Sequence, residues 1–272
     1  MTRDERWEAP MTESFAYSAH IGYLFTELPF EKRIRAARDA GFSAVEFPAP
    51  YGTPAPDMAR LLADAELPYV QFGLRSGDAS KGEKGIGLFP DRRAEFRANL
   101  AEALDYAETI GVKMLHAMAG VLPEGRRRPE HRACYIENLA LAAEEAEKRG
   151  IRIIVEAMSP AAVPDYYLPT LAAAREAIDE AGHRNLGLLL DVFHTVSVGD
   201  DPVALINAEH GRIAHVHIAD VPGRHEPGSG SIDFASVKAA LRKNGYRSFI
   251  GCEYVPEHTT SEGLGWMSGT SA

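Results

Sequence analysis

Residues 151–158 read IRIIVEAM, an apolar run with a single carboxylate, Glu156, near its end. A run this apolar belongs to a strand covered on both faces, so a carboxylate at its C-terminal end must be solvated at an opening or hold something charged. Gly150, just before it, closes a helix-like segment. The same punctuation recurs at Gly41, Gly111, Gly182 and Gly245, each between an amphipathic segment and another apolar run. That is where a left-handed C-cap places glycine, so the repeating unit is helix, glycine, strand.

Outward from this run, apolar segments predict strands at 15–19, 44–47, 69–73, 113–117, 151–158, 186–190, 214–218 and 248–254. Helical spacing predicts helices at 30–40, 57–65, 91–110, 131–149, 171–181, 202–208, 234–244 and 262–266, with Asp57 as a cap of the second. Eight alternating pairs are the count of an α/β fold of the (β/α)8 TIM-barrel type, in one domain. A doubly wound sheet would carry G-x-G-x-x-G after its first strand, whereas here the chain continues His20-Ile21-Gly22-Tyr23-Leu24. The barrel is expected over 14–266, with a flexible extension at 1–13 and a flexible tail at 267–272.

The chain has 272 residues, 45% hydrophobic and 25% charged, which suits one sizeable core. Its 29 Lys and Arg against 39 Asp and Glu leave a net charge of −10, which opposes binding to a phosphate backbone and fits a small-molecule enzyme. Cys134 and Cys252 lie in apolar segments with no CxxC partner, so neither a disulfide scaffold nor structural zinc is expected, and a reducing compartment is. The N-terminal stretch mixes both charge signs, and no apolar run approaches the roughly 18–20 residues of a membrane span. A cytoplasmic protein without membrane or nucleic-acid partners is the expectation.

Reactive groups of such barrels sit at the C-terminal ends of strands. Here those ends carry Glu46, His116, Glu156, Asp191, His217 and Glu253. Glu156, Asp191, His217 and Glu253 come from four successive strands, hence from one side of the mouth. Three carboxylates beside one imidazole would repel as bare anions, and a divalent cation relieves this; mixed oxygen and nitrogen ligation suits Mn²⁺, Mg²⁺ or Co²⁺. Any one of these residues alone would read as a solvated strand end. His194, three residues beyond Asp191, and Arg224, in the glycine-rich loop ADVPGRHEPGSG, are placed to reach the same rim. Glu46 and His116 are candidates for lining the pocket, with a hydrogen-bonded structural role as the plainer alternative. Tyr23, Phe89 and Trp266 would either wall the mouth or pack, and His131 and His258 read as solvent-exposed.

Several segments resemble the hydroxypyruvate isomerase family of the xylose isomerase-like TIM barrels: LFTELPF (24–30), GFSAVEF (41–47), GDASKGEKGI (77–86), HIADVPGRHEPGSGSIDF (217–234) and GCEYVPEHTTSEGL (251–264). The likeness covers about 14–266. It implies Glu156, Asp191, His217 and Glu253 as the metal set, with Mg²⁺ or Mn²⁺ and Co²⁺ as an option. It also implies Glu156 and Glu253 as the proton-transfer pair, and His194 and Arg224 as substrate-orienting groups. The implied reaction is the isomerisation of a small hydroxy-carbonyl compound of the hydroxypyruvate or 2-oxo-tetronate type through an enediolate. Ketose 3-epimerisation is the alternative on the same scaffold.

The family implies a histidine and an asparagine where Phe72 and Gly73 stand, an asparagine where Ser159 stands, and a glutamine at His217, which the epimerase branch has as histidine. The first three departures predict a less polar pocket wall, and His217 predicts firmer metal binding. A homo-oligomer, dimer or tetramer, is also implied. The rival from another class is a metal-dependent repair nuclease of the endonuclease IV type, for which Arg126, Arg127 and Arg128 supply a local basic run against the acidic whole.

Overall fold

In the computed structural model, residues 15–268 are described, and eight parallel strands close into a barrel wrapped by helices. The strands are β1 (Tyr17–His20), β2 (Ala44–Glu46), β3 (Gln71–Gly73), β4 (Met114–His116), β5 (Arg152–Glu156), β6 (Leu186–Asp191), β7 (Ile213–Ile218) and β8 (Ile250–Cys252). The helices are α1 (Phe30–Asp39), α2 (Ala55–Ala65), α3 (Arg93–Ile110), α4 (Pro129–Glu147), α5 (Leu171–Ala181), α6 (Val192–Ser197), α7 (Pro202–Glu209) and α8 (Phe234–Lys243). Strand pairing runs β2-β1-β8-β7-β6-β5-β4-β3. The ring closes through the parallel bridge Val45↔Tyr69, with Val45 N donating to Pro68 O and Val70 N to Val45 O.

The five glycines expected to end helices all adopt positive φ, from 64° at Gly182 to 89° at Gly41. Three of the differences from the sequence reading concern helices. Helix α2 starts at Ala55 behind Pro54, so Asp57 sits in its first turn and is not its cap. The short α6 was not expected; it grows directly off β6 because Asp191 Oδ1 accepts the His194 N–H at 3.1 Å as an N-cap. The final stretch, Glu262–Ser268, is a 3-10 helix that includes Met267, which packs on the core. The expected N-terminal extension 1–13 and tail residues 269–272 lie outside the described residues.

The strands alternate inward and outward with period two. Outward residues such as Ile153, Val155, Leu188 and Leu190 pack with the helices into the main core, and a small floor cluster holds Ala44, Val70 and Phe249. Phe72 belongs to the outer core, edge-on to Tyr51, Tyr69 and Tyr106. It therefore does not wall the pocket as its replacement of a polar residue implied; its neighbours Gln71 and Gly73 face inward. Trp266 likewise packs against Tyr17 and Tyr254. Cys134 and Cys252 are both buried free thiols. Among the described residues, no helix is long and apolar enough to cross a membrane.

Candidate active site

The inward residues at the C-terminal ends of the strands form a buried polar cup. One ligand atom each from Glu156, Asp191, His217 and Glu253 lies within 4.8 Å of all the others. Glu156, Asp191 and His217 are in β5, β6 and β7, and Glu253 follows β8 directly. Arg224 Nη2 donates to Asp191 Oδ2 at 3.1 Å and to Glu253 Oε2 at 2.7 Å, tying two of the carboxylates together. Its guanidinium stacks between Tyr23, 5.3 Å from the ring centroid, and Phe193, at 5.0 Å. Tyr23 thus sits at the mouth, while Phe89, in the loop between β3 and α3, packs edge-on to His131.

Asp220, two residues past β7, holds the loop that carries Arg224. Its carboxylate accepts four backbone N–H bonds, from Val221 at 2.8 Å, Gly228 and Gly230 at 2.9 Å and Ile232 at 3.0 Å. The loop folds so tightly that a Cβ on Gly230 would come within 2.2 Å of Val221 O. Arg224 itself takes φ +58°, a left-handed conformation. Asp220 was not singled out from the sequence, where an acidic residue beside a turn looks like any solvated loop carboxylate; in the fold it is fully buried.

His194 is fixed by Ser159, whose Oγ lies 3.1 Å from His194 Nδ1, and its Nε2 is 3.8 Å from Asp191 Oδ2. Ser159, expected as a departure at a substrate contact, thus serves as a brace for His194. His116 Nδ1 lies 3.7 Å from Glu156 Oε2. His20 Nε2 lies 3.3 Å from Glu253 Oε1. Glu156 and Glu253 therefore each have a histidine from the adjacent strand beside them. His20 escaped the sequence reading because strand one was ended at Ala19, one residue short.

Glu46 lies beneath this cup with no exposed surface. Its Oε2 is 2.9 Å from His215 Nε2 and 3.2 Å from His217 Nε2, and accepts from Gln71 Nε2 at 3.1 Å; Oε1 accepts from Ser18 Oγ at 2.9 Å. Of these partners His215, Gln71 and Ser18 were missed. Each is a polar residue inside a strand and not at its end, and two-sided burial of a parallel strand hides which face it points to.

Electrostatics divides the two glutamates. Burial, then the Glu253 charge, pushes the Glu156 carboxyl well above the usual carboxylate range. Burial would raise Glu253 too, but Arg224, His217 and His20 outweigh it and hold it well below that range. Burial opposes the His217 cation, yet Glu46 and Glu253 raise its pKa well above the usual histidine value. Burial keeps His20 and His194 neutral and drops His116 to about 3.

The donor set fits a divalent cation. Three carboxylates converge with only one arginine among them, and His217 Nδ1 is buried 3.0 Å from Glu253 Oε2 without hydrogen-bond alignment. In a second group of possible ligands, Glu46, His215 and His217, the facing atoms are already engaged with one another, both histidine Nε2 atoms lying within hydrogen-bond distance of Glu46 Oε2.

The run Arg126, Arg127 and Arg128 is not a uniform cationic face. Arg127 lies over the Tyr167 ring and donates to Leu122 O and Tyr166 O, joining two mouth loops. Arg128 donates to Gly125 O and Arg127 O, and its N–H donates to His131 Nδ1 at the start of α4. His131 is thus half-buried and employed, whereas His258 is exposed as expected.

The model of the xylose isomerase-like TIM barrel family matches residues 34–269. The chain is 37% identical over 250 residues to the 2-oxo-tetronate isomerase of Pectobacterium atrosepticum, covering 92% of this chain and 95% of that one. It is 33% identical over 251 residues to the hydroxypyruvate isomerase of Escherichia coli strain K12, covering 92% and 97%. Among solved structures, that titled AP endonuclease, family 2, from Brucella melitensis superposes with a TM-score of 0.92 at 35% identity, covering 94% of this chain and 99% of that one.

Proposed function

Because this chain belongs to the xylose isomerase-like TIM barrel family, and within it to the 2-oxo-tetronate and hydroxypyruvate isomerases, we propose that it is a metal-assisted isomerase of a small hydroxy-carbonyl compound. The observation that carries this reading is the convergence of Glu156, Asp191, His217 and Glu253 on one buried cup, with a glutamate from the end of β5 and another directly after β8 reaching the same point. The raised Glu156 and lowered Glu253 carboxyl pKa fit unequal roles for the two. Glu156, Asp191, His217 and Glu253 would hold a divalent cation, which when bound supplies positive charge against the substrate oxygens.

The residues divide the remaining work. Glu253 takes the proton from the carbon beside the carbonyl; the electron pair of that C–H bond forms the carbon–carbon double bond and the carbonyl π pair moves onto its oxygen, giving an enediolate. Glu156 delivers its proton to the former carbonyl carbon as the hydroxyl proton passes from the other oxygen to the first, so that hydroxyl and carbonyl exchange places, and the proton on Glu253 returns to Glu156 through solvent to reset the pair. Arg224 fixes the orientation of Glu253 and Asp191 through its Nη2, which donates to both carboxylates. His194, held by Ser159, and His116 are placed to donate to substrate oxygens.

The experiment is an assay of Glu156→Gln and Glu253→Gln on hydroxypyruvate and a 2-oxo-tetronate, with Mg²⁺ or Mn²⁺ and then with a chelator. Losses of at least about 100-fold in both variants are expected. Undiminished turnover in both sinks the two-glutamate mechanism. In deuterium oxide the label should enter at the carbon next to the one deprotonated; return of label to the same carbon would identify a 3-epimerase.

A further inference from the structure

We propose that Glu46, with His215, is a positioning device for the metal site and not a substrate contact: it fixes the His217 ring so that Nδ1 is the atom offered to the cation. The inference rests on the metal reading above and goes beyond it, because it concerns the layer beneath the ligands.

The hydrogen-bond inventory leaves one consistent arrangement. Glu46 Oε2 receives His215 Nε2 at 2.9 Å, Gln71 Nε2 at 3.1 Å and His217 Nε2 at 3.2 Å, and Oε1 receives the Ser18 hydroxyl at 2.9 Å. A carboxylate can only accept, so both imidazoles carry a proton on Nε2. For His217 that leaves Nδ1 facing the Glu156, Asp191 and Glu253 side, where it has no aligned partner of its own.

The His215 and His217 rings stand edge to face, with centroids 4.8 Å apart and planes at 83°, so neither turns without displacing the other. Space is equally restricted: a Cβ at Gly251 would meet Glu46 Oε1 at 2.1 Å and His217 Cδ2 at 2.5 Å. Glu46, His215 and His217 come from β2 and β7, which are not neighbours in the ring, so the cluster spans the barrel interior. A carboxylate that already accepts from four side-chain donors and has no exposed surface is not reachable by a substrate.

The test separates charge from geometry. In Glu46→Gln the amide oxygen can take the Oε2 place and keep its three donors while the amide nitrogen donates to Ser18 Oγ, so only the charge is lost. In Glu46→Ala the acceptor is gone and the His217 ring is free. Mn²⁺ binding followed by electron paramagnetic resonance should weaken about tenfold in Glu46→Gln and about 100-fold in Glu46→Ala. KM measured at saturating Mn²⁺ should stay within about twofold of wild type in Glu46→Gln.

Unchanged Mn²⁺ affinity with a raised KM would overturn the proposal and make Glu46 a substrate residue. Failure of the wild type to bind Mn²⁺ would overturn the metal reading and this inference with it. Should Glu46→Ala not fold, imidazole ¹⁵N spectra of the Mg²⁺-loaded wild type decide the matter: protons on Nε2 of both His215 and His217 are expected, and a proton on Nδ1 of His217 refutes the arrangement.

Discussion

Gly251→Ala adds one methyl group to a crowded point of the barrel interior. The backbone of Gly251 is not in the left-handed region, so the cost is one of space alone. The new Cβ would lie 2.1 Å from Glu46 Oε1, 2.5 Å from His217 Cδ2 and 3.0 Å from Glu46 Cδ. Neither neighbour can retreat, because Glu46 is held by four donors and both side chains are buried. Overpacking of this kind costs about 1–3 kcal/mol, and losing a hydrogen bond to a charged buried group costs about 1.5–3 kcal/mol more.

A destabilisation of about 3–5 kcal/mol follows. With a urea m-value of about 3 kcal/mol/M, the midpoint should fall by at least about 1 M. Gly211→Ala is the control, since a Cβ there meets nothing within 4 Å and the backbone is not left-handed. It should shift stability by no more than about 0.5 kcal/mol. Coincident urea midpoints for the two variants would refute the packing argument.

Two further outcomes can be checked. His116 titrates at about 3 in the fold, because burial and then the His217 charge disfavour its cation, against 6.5 unfolded. The unfolded chain therefore binds the extra proton, and metal-free protein should lose stability as pH falls from about 6.5 toward 3, at about 1.4 kcal/mol per pH unit from this residue; His116→Gln should flatten that slope in urea titrations, and an unchanged slope would remove His116 from the account. Asp220→Ala leaves four backbone N–H groups without their acceptor. It should cost about 2–4 kcal/mol and expose the Arg224 loop to proteolysis, and a loop as resistant as wild type would contradict the anchoring role.

The barrel was legible because its signals are local. A glycine after five of the helices and apolar runs between helical segments need no tertiary context, and all eight strands lie where those signals put them. Glu156, Asp191, His217 and Glu253 were visible for the same reason, each being the polar stop at the end of an apolar run. What lay beyond the sequence was facing. The family resemblance put Phe72 on the pocket wall, and nothing in a strand buried on both sides distinguishes it from Gln71 as the inward residue; it packs among tyrosines instead. His215 was overlooked because it sits two residues inside its strand, and His20 because a one-residue error at a strand end turned a site residue into a loop residue. Asp220 depends on amides up to 12 residues further along the chain, which only the folded loop gathers.

The ring of strands is not uniformly stitched. Seven of its joints are extended ladders, while the eighth, between β2 and β3, rests on the single bridge Val45↔Tyr69 with a few flanking bonds. Around the circle, that joint lies opposite the β6–β7 pair, which carries Asp191 and His217. The barrel therefore has a zip at its back and a weld at its front. Local opening proceeds where pairing is thinnest, so the cylinder can breathe on the side away from the charged quartet while the four strands that bear it move as one plate.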